Sequence, residues 1–292
     1  MTFRGAAADR TETPPAWRES RVSMFRSPPV LLPLALLALL AATVVLGPLV
    51  WPTDPYAMDF AAILAPPGAA HPMGTDPVGR DVLSRFLAGG RLSLSVGVIV
   101  MLGGLIPGAI IGVLAARAGG FLDMVLMRAM DSIAAFPPIL LAMAVAIGLG
   151  GGLWTAVLGV IISTLPFFAR LMRSEVLRIM SYRFVDAAAG MGASPAFILR
   201  WHISPHAAST MLVQCAAVFG YAIITLAGLG FVGMGARVPT AEWGLMITEG
   251  MKYALTGQWW LTVFPGLGIL VAVIAANLLA DGLAEALGRR TP

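Results

Sequence analysis

Six long apolar segments constrain the fold of this chain more than any other feature of its sequence. A helix needs about 20 apolar residues to cross the hydrocarbon of a bilayer, and a soluble core has no room for six such runs. Only 12% of the 292 residues are charged, against about 25% in an ordinary soluble domain. The mean hydropathy is +0.86. The sequence therefore predicts an all-α integral membrane protein.

The apolar runs predict six transmembrane helices, at 30–50, 93–116, 124–148, 152–172, 207–232 and 260–284. The chain then divides into an N-terminal tail, a first helix, an outer segment, a five-helix core and a C-terminal tail, at 1–29, 30–50, 51–92, 93–284 and 285–292. The first run is longer than the apolar region of a signal peptide, which favours an uncleaved helix. The glycines of "GLGGG" predict a tight hairpin between the third and fourth helices.

The distribution of basic residues predicts the orientation of the chain. With both termini in the cytoplasm, 14 of the 19 Lys and Arg residues lie inside, as the positive-inside rule requires. The net charge of +4 is explained by this bias, and no basic patch interleaved with aromatic residues indicates nucleic acid. In the second helix, Gly104, Gly108 and Gly112 recur every four residues and predict a face of close helix packing.

The stretch "FVDAAAGMGASPAFILRWHISP", residues 184–205, is too polar to span a membrane. Asp186 suits the first turn of a helix that the following alanines favour and that Gly192 ends. Ser194 and Pro195 predict the start of a second short helix, and Pro205 a break before the fifth span. Two interpretations stay open at this point: a shallow surface of small residues on which a partner docks, or an interfacial helix resting on lipid.

Other polar residues carry weaker predictions. His202 and His206 are four residues apart, but without a third ligand we predict no metal site. Asp131 pairs with Arg128 at the membrane interface or marks a transport path. Four polar residues within the predicted spans are candidates to line a pathway: Gln214, Tyr221, Thr225 and Asn277. In the outer segment, Asp76, Arg80 and Asp81 are candidates to contact a partner, although a capped helix start explains Thr75 and Asp76 equally well.

Residues 184–205 resemble the "EAA" box of permease subunits of binding-protein-dependent ABC importers. The matching positions are Asp186-Ala187-Ala188, Gly192 and the ending His202-Ile203-Ser204-Pro205, with Asp in place of Glu and Ser in place of Leu. Four further blocks are similar to the second permease subunit of the dipeptide, oligopeptide and nickel branch. They are "HPMGTDPVGRDVLSRFLAGGRLSLSVG", "GGFLDMVLMRAMDSIAAFP", "LGFVGMGARVPTAEWGLMITEG" and "FPGLGILVAVIAANLLADGLAEAL".

This resemblance implies a type I ABC importer permease fold in the bacterial inner membrane, with a cytoplasmic coupling helix. It implies ATPase-coupling roles for Asp186, Ala187, Ala188, Gly192 and Pro205. The implied partners are a second homologous permease, two ATP-binding subunits that hold ATP and Mg, and a periplasmic or lipid-anchored substrate-binding protein. Short peptides are the substrate that the branch favours, with nickel, glutathione-like peptides or other small solutes as alternatives.

The resemblance also implies that the chain is a non-catalytic subunit without a cofactor. The sequence agrees, because it lacks the Gly-x-x-x-x-Gly-Lys-Ser/Thr loop that cradles nucleotide phosphates. Two other classes of protein fit the sequence less well. A stand-alone secondary transporter usually has paired halves and intramembrane charges for ion coupling, and neither is clear here. An intramembrane enzyme is disfavoured because "GASP", 192–195, is not a Gly-x-Ser-x-Gly elbow.

Overall fold

The computed structural model of the protein describes residues 28–288. Ten α-helices follow one another in that range: α1 Pro28–Val50, α2 Val82–Ala118, α3 Gly120–Ala134, α4 Pro138–Gly148, α5 Leu153–Met180, α6 Arg183–Gly190, α7 Pro195–Ile198, α8 Ser204–Phe231, α9 Trp243–Ala254 and α10 Trp260–Gly288. A π-helical segment, Leu199–Ile203, joins α7 to α8. The predicted all-α architecture is confirmed. The predicted tails, 1–29 and 285–292, lie mostly outside the described residues.

Five helical stretches are long and apolar enough to cross a membrane: α1, α2, α5, the continuous run Pro195–Phe231, and α10. The third predicted span, 124–148, has to be corrected, because it is not one straight helix. It consists of α3 and α4, which meet at an angle of 88°. Pro137 and Pro138 lie at the bend. Neither proline has a backbone N–H, and their rings prevent α3 from continuing. With this bent pair counted as one span, the number is six.

The second predicted span, 93–116, is the C-terminal part of a longer helix. That helix, α2, begins at Val82, inside the predicted outer segment. The Asp81 side chain caps its N-terminus by accepting a hydrogen bond from the Ser84 N–H, at 2.8 Å. The predicted cap at Thr75 and Asp76 is therefore wrong by about two helical turns.

The predicted glycine face of α2 packs directly on α5. A β-carbon at Gly108 would lie 2.7 Å from the Phe168 Cβ. One at Gly104 would meet the Thr164 hydroxyl, and one at Gly112 would meet the Ala169 carbonyl. All three positions thus require the absence of a side chain, and α2 and α5 form the closely packed centre of the bundle.

The glycine turn between α4 and α5 is also confirmed. Gly150, Gly151 and Gly152 all have positive φ, at 92°, 74° and 109°, where other residues are strained. The Gly151 N–H closes α4 on the Ala146 carbonyl at 2.7 Å. The two helices then run together, and the Gly159 backbone contacts that of Ala142.

Helix α1 lies diagonally across the bundle. Its N-terminal end packs on α10, where Val30 and Leu283 are both buried and the Pro29 carbonyl contacts Gly282. Its C-terminal end packs on α2, where Gly47 contacts the Leu87 side chain. Between these two contacts, a cleft separates α1 from the rest of the bundle.

Candidate coupling surface

Helix α6 is short because its C-terminus is closed by a glycine motif. The N–H of Ala193 donates to the Ala188 carbonyl at 3.1 Å, and that of Gly192 donates to Ala189 at 2.9 Å. This pair of bonds is a Schellman motif, which requires a left-handed residue at the position that Gly192 occupies with φ of 85°. Asp186 lies in the first turn of α6, where its negative charge interacts favourably with the positive end of the helix dipole. The predicted helix and its glycine end are thus present.

The chain restarts as a helix within two residues of Gly192. Pro195 is at the first helical position of α7, and the Ser194 hydroxyl accepts a hydrogen bond from the Phe197 N–H at 3.2 Å. Both features follow the sequence prediction.

The predicted break at Pro205 does not occur. Pro195–Phe231 forms one continuous helical run. The π-helical segment, Leu199–Ile203, precedes the proline, and the Ser204 N–H reaches the Leu199 carbonyl five residues back. This wider turn accommodates a proline that cannot donate a backbone hydrogen bond. No feature of the sequence predicted this π-helical segment.

We call residues 181–207 the coupling segment, and between residues 186 and 196 most of its exposed side chains are small. Asp186, Ala187 and Ala189 are exposed, and Met191 is 83% exposed. A β-carbon added at Gly192 would meet nothing within 4 Å. Side chains this small leave the backbone accessible to another surface.

The opposite face of the coupling segment packs on the adjacent ends of the long helices. Val185 and Ile203 are buried at 6% and 3% exposure in one cluster with residues of three long helices. Those residues are Ala116 of α2, Val176 and Ile179 of α5, and Ala207 of α8. A force on α6 would therefore be transmitted to α2, α5 and α8 through close-packed apolar side chains.

Aromatic and histidine rings extend this packing. The Phe184 ring stacks on His206 at 5.6 Å between centroids and lies 5.8 Å from the ring of His202. The Nδ1 atom of His206 is 2.6 Å from the His202 carbonyl oxygen. Both histidine rings therefore pack on Phe184, and the His206 ring also contacts a backbone carbonyl of the helix.

Two ion pairs tie α3 to α5 near the coupling segment. Arg173 forms a bidentate pair with Asp123, with the Nε–Oδ1 distance at 2.6 Å. Asp131 pairs with Arg170 at 3.7 Å, and both side chains are half exposed. The predicted partner of Asp131 was Arg128, which instead accepts a hydrogen bond from Ser132 through its backbone carbonyl.

The outer candidates Asp76, Arg80 and Asp81 are buried, at 5%, 3% and 3% exposure. Asp76 pairs with Arg80, and the Asp81 carboxylate accepts from the indole N–H of Trp51 at 2.9 Å. The second oxygen of Asp81 lies 2.9 Å from the His71 ring. The structure therefore favours an internal role for these charges over the predicted direct contact with a partner.

Two charged residues that the sequence analysis did not single out complete this group. Arg85 is 1% exposed, and its guanidinium lies 3.6 Å from Asp76 and 3.3 Å from Glu249. We call Asp76, Arg80, Arg85 and Glu249 the outer charge cluster. The sequence shows only that these residues are polar and lie next to apolar runs. It does not show that they meet, because Glu249 is distant from the other three in the sequence.

The predicted pathway residues differ in their exposure. Thr225 is 6% exposed, and its hydroxyl donates to the Tyr221 carbonyl at 2.8 Å. Tyr221 is 40% exposed. Asn277 is exposed on α10, and its side-chain oxygen would lie 3.7 Å from a β-carbon at Gly220. Gln214 is half-buried on α8. Of the four, Tyr221 and Asn277 are the most accessible from outside this chain.

Comparisons with known proteins agree with this architecture. Residues 108–291 match the family described as binding-protein-dependent transport system inner membrane component. The probable D,D-dipeptide transport system permease protein DdpC of Escherichia coli K12 is 40% identical, over 86% of this chain and 84% of its own length. The glutathione transport system permease protein GsiD of Pectobacterium atrosepticum is 39% identical, over 78% of this chain and 76% of its own.

A solved structure shows the same fold. The inward-facing MetNI methionine ABC transporter matches with a TM-score of 0.57 at 20% identity, covering 70% of this chain and 97% of the matched chain. The helical architecture thus belongs to the type I ABC importer permease fold. The chain is a member of the binding-protein-dependent transport system inner membrane component family, and it is a permease subunit of an ABC importer.

Proposed function

We propose that this permease carries short peptides inward by alternating access, driven by a separate ATPase dimer that docks on the coupling segment. The observation that carries the proposal is the coupling segment itself: a small-residue face open to solvent, whose other side packs on three long helices. Closure of an ATPase dimer against α6 would move the inner ends of α2, α5 and α8 together.

The roles proposed for individual residues follow from this geometry. Asp186, Ala187 and Ala188 form the body of the docking helix. Gly192 closes it, and Pro205 marks its connection to α8. Ala188 is 5% exposed and so supports the helix from beneath, whereas Ala187 is exposed.

The assembly proposed around this chain has three kinds of partner protein. They are a second homologous permease, two ATP-binding subunits that hold ATP and Mg, and a periplasmic or lipid-anchored substrate-binding protein. We propose that the chain lies in the bacterial cytoplasmic membrane with both termini inside and with residues 51–92 on the periplasmic side. The segment's three arginines near the second span, Arg80, Arg85 and Arg91, are partnered within the chain, which reduces their weight in the orientation rule.

Short peptides are the proposed substrate because the most similar curated relatives include dipeptide and glutathione permeases. Tyr221 and Asn277 are the pathway candidates that the structure leaves most accessible. Replacing each by Leu should slow peptide uptake by the reconstituted importer. Unchanged uptake in both variants would remove them from the pathway.

A disulfide cross-link tests the docking role directly. In a Cys215→Ser background, a single cysteine at Ala189 should cross-link to a cysteine in the groove of the co-expressed ATPase, with a yield that depends on nucleotide. Ala129→Cys, exposed on α3, is the matched control and should give no cross-link. A chain that is inserted and folded but gives equal yields at both positions would contradict the proposal and favour the lipid-resting alternative.

A further inference from the structure

An apolar cleft of about 840 Å³ lies between α1, α2, α8 and α10. It is the space left where α1 crosses the bundle diagonally. Its walls are almost entirely hydrocarbon, and they include Ala41, Val98, Leu105, Leu212, Ala216 and Leu279. A cleft with so few polar groups offers nothing to a peptide backbone or to water, but it suits an acyl chain.

A single cationic side chain stands at the outer rim of this cleft. Arg91 of α2 donates from Nε to the Val44 carbonyl of α1 at 2.7 Å, and its Nη2 donates to the Val45 carbonyl. Pro48, four residues after Val44, has no N–H to bond the Val44 carbonyl within the helix. Arg91 thus supplies the hydrogen bond that the proline removes.

Two of the five guanidinium N–H groups are used in this way, and about three remain available. The Arg91 side chain is exposed, so those donors are accessible from the cleft opening. Ser95, one helical turn further in, lines the same cleft and offers a hydroxyl next to them. A guanidinium with free donors recognises a phosphate oxygen more strongly than it recognises a neutral group.

The length of the cleft matches one leaflet of a bilayer. From Arg91 to Leu105 is 14 residues of α2, or about 21 Å at 1.5 Å per residue. One leaflet with its headgroup region is about 20–22 Å thick, half of the 40–45 Å of a whole bilayer. A headgroup held at Arg91 would therefore have its acyl chain directed along the cleft towards the middle of the membrane.

We propose that this cleft binds an anionic phospholipid, with its phosphate on the free donors of Arg91 and an acyl chain between α1 and α8. The lipid would fill the gap beneath the diagonal helix and fix α1 against the bundle. The occupant is inferred from the charge at the rim and the apolar walls, independently of the transport activity.

Native mass spectrometry of the purified full chain tests the proposal, with phosphatidylglycerol and phosphatidylcholine as the two added lipids. We expect the chain to retain one phosphatidylglycerol, with a preference over phosphatidylcholine of roughly fivefold, because both lipids carry a phosphate but the choline ammonium cancels the net charge of phosphatidylcholine. Arg91→Gln should abolish the preference while keeping amide donors near the Val44 carbonyl. Arg237→Gln, an exposed outer arginine, is the control and should keep it.

A second variant tests the cleft without touching the charge. Ala216→Phe should fill the space and reduce retention of both lipids. Equal retention of the two lipids by the unchanged chain would overturn the proposal, and so would a preference that survives Arg91→Gln. If the assembled importer excludes lipid and Ala216→Cys cross-links to the second permease, the occupant is a protein helix and the proposal is wrong.

Discussion

The two ends of this permease are built in opposite ways. The outer end buries its charges: Arg85 is 1% exposed within the outer charge cluster, and Glu242 is 6% exposed beneath α9. The inner end leaves the small residues between 186 and 196 uncovered, and it buries Val185 and Ile203 of the coupling segment against the long helices. Buried, paired charges make an end that is costly to rearrange, whereas an apolar contact with an open face can move with a partner.

The largest effect should follow from breaking the outer charge cluster. Arg85→Ala removes the guanidinium that lies between Asp76 and Glu249 and leaves buried carboxylate charge uncompensated. We expect a loss of about 3 kcal/mol in the free energy of unfolding, at the lower end for a broken buried pair. The melting temperature of the detergent-purified chain is the measurement, with Arg237→Ala as the control. Equal melting temperatures for the two variants would show that the cluster is not a structural lock.

The next effect should come from Glu242, which caps α9. Its carboxylate accepts from the Gly244 N–H at 2.9 Å, the Leu245 N–H at 2.8 Å and the Ser93 hydroxyl at 2.9 Å. Glu242→Ala leaves these donors buried without an acceptor and should cost about 2 kcal/mol. Glu242→Gln keeps one acceptor oxygen and should cost less. The same melting assay compares them, and a reversed order would mean that the carboxylate is not acting as a cap.

At the inner end, a smaller stability effect should accompany a larger functional one. Gly192→Ala forces a β-carbon into a left-handed conformation with φ of 85°, at a cost of about 1 kcal/mol. We expect substrate-stimulated ATP hydrolysis by the assembled importer to fall because the end of α6 is altered. Gly190→Ala is the matched control, since α6 holds it in a helical conformation with open space around it. If both variants lose the stimulation of ATP hydrolysis, the loss is not caused by the glycine motif, and the prediction is wrong.

Ala187→Trp should change stability the least, and it should show the clearest difference between the effect on stability and the effect on ATPase binding. Ala187 is exposed, so the free energy of unfolding should stay within about 0.5 kcal/mol. Co-purification of the ATPase with the permease should nevertheless be lost, because the bulky ring prevents close approach to α6. A variant that retains the ATPase at the original level would remove the functional half of the comparison between the two ends.

Much of the fold could be predicted from local patterns. Long apolar runs, the glycine face of α2 and the "GLGGG" turn each follow from a single physical requirement within a short stretch. The bend between α3 and α4 was less accessible, because its apolar residues run on through Pro137 and Pro138. A proline pair in an apolar run is compatible with a mild kink or a full break, and packing on α5 decides between them.

In the candidate site, too, features set by neighbouring residues could be predicted and contacts between distant helices could not. The Schellman end at Gly192 and the cap at Ser194 depend on neighbouring residues, and both were predictable. The Arg85–Glu249 pair depends on the meeting of α2 and α9, which no local pattern encodes. The burial of Asp76, Arg80 and Asp81 has the same origin, so residues that read as surface contacts proved to be internal.

The π-helical segment at Leu199–Ile203 also determines the rotation of α8 about its own axis relative to α6. Such a turn holds one residue more than an α-turn, and one residue corresponds to about 100° of rotation. Deleting a single residue there would let the run from Pro195 to Phe231 become regular α-helix. Either α6 or the whole of α8 would then have to rotate by that angle. The extra residue thus fixes which side of α8 faces the rest of the bundle when α6 contacts its partner.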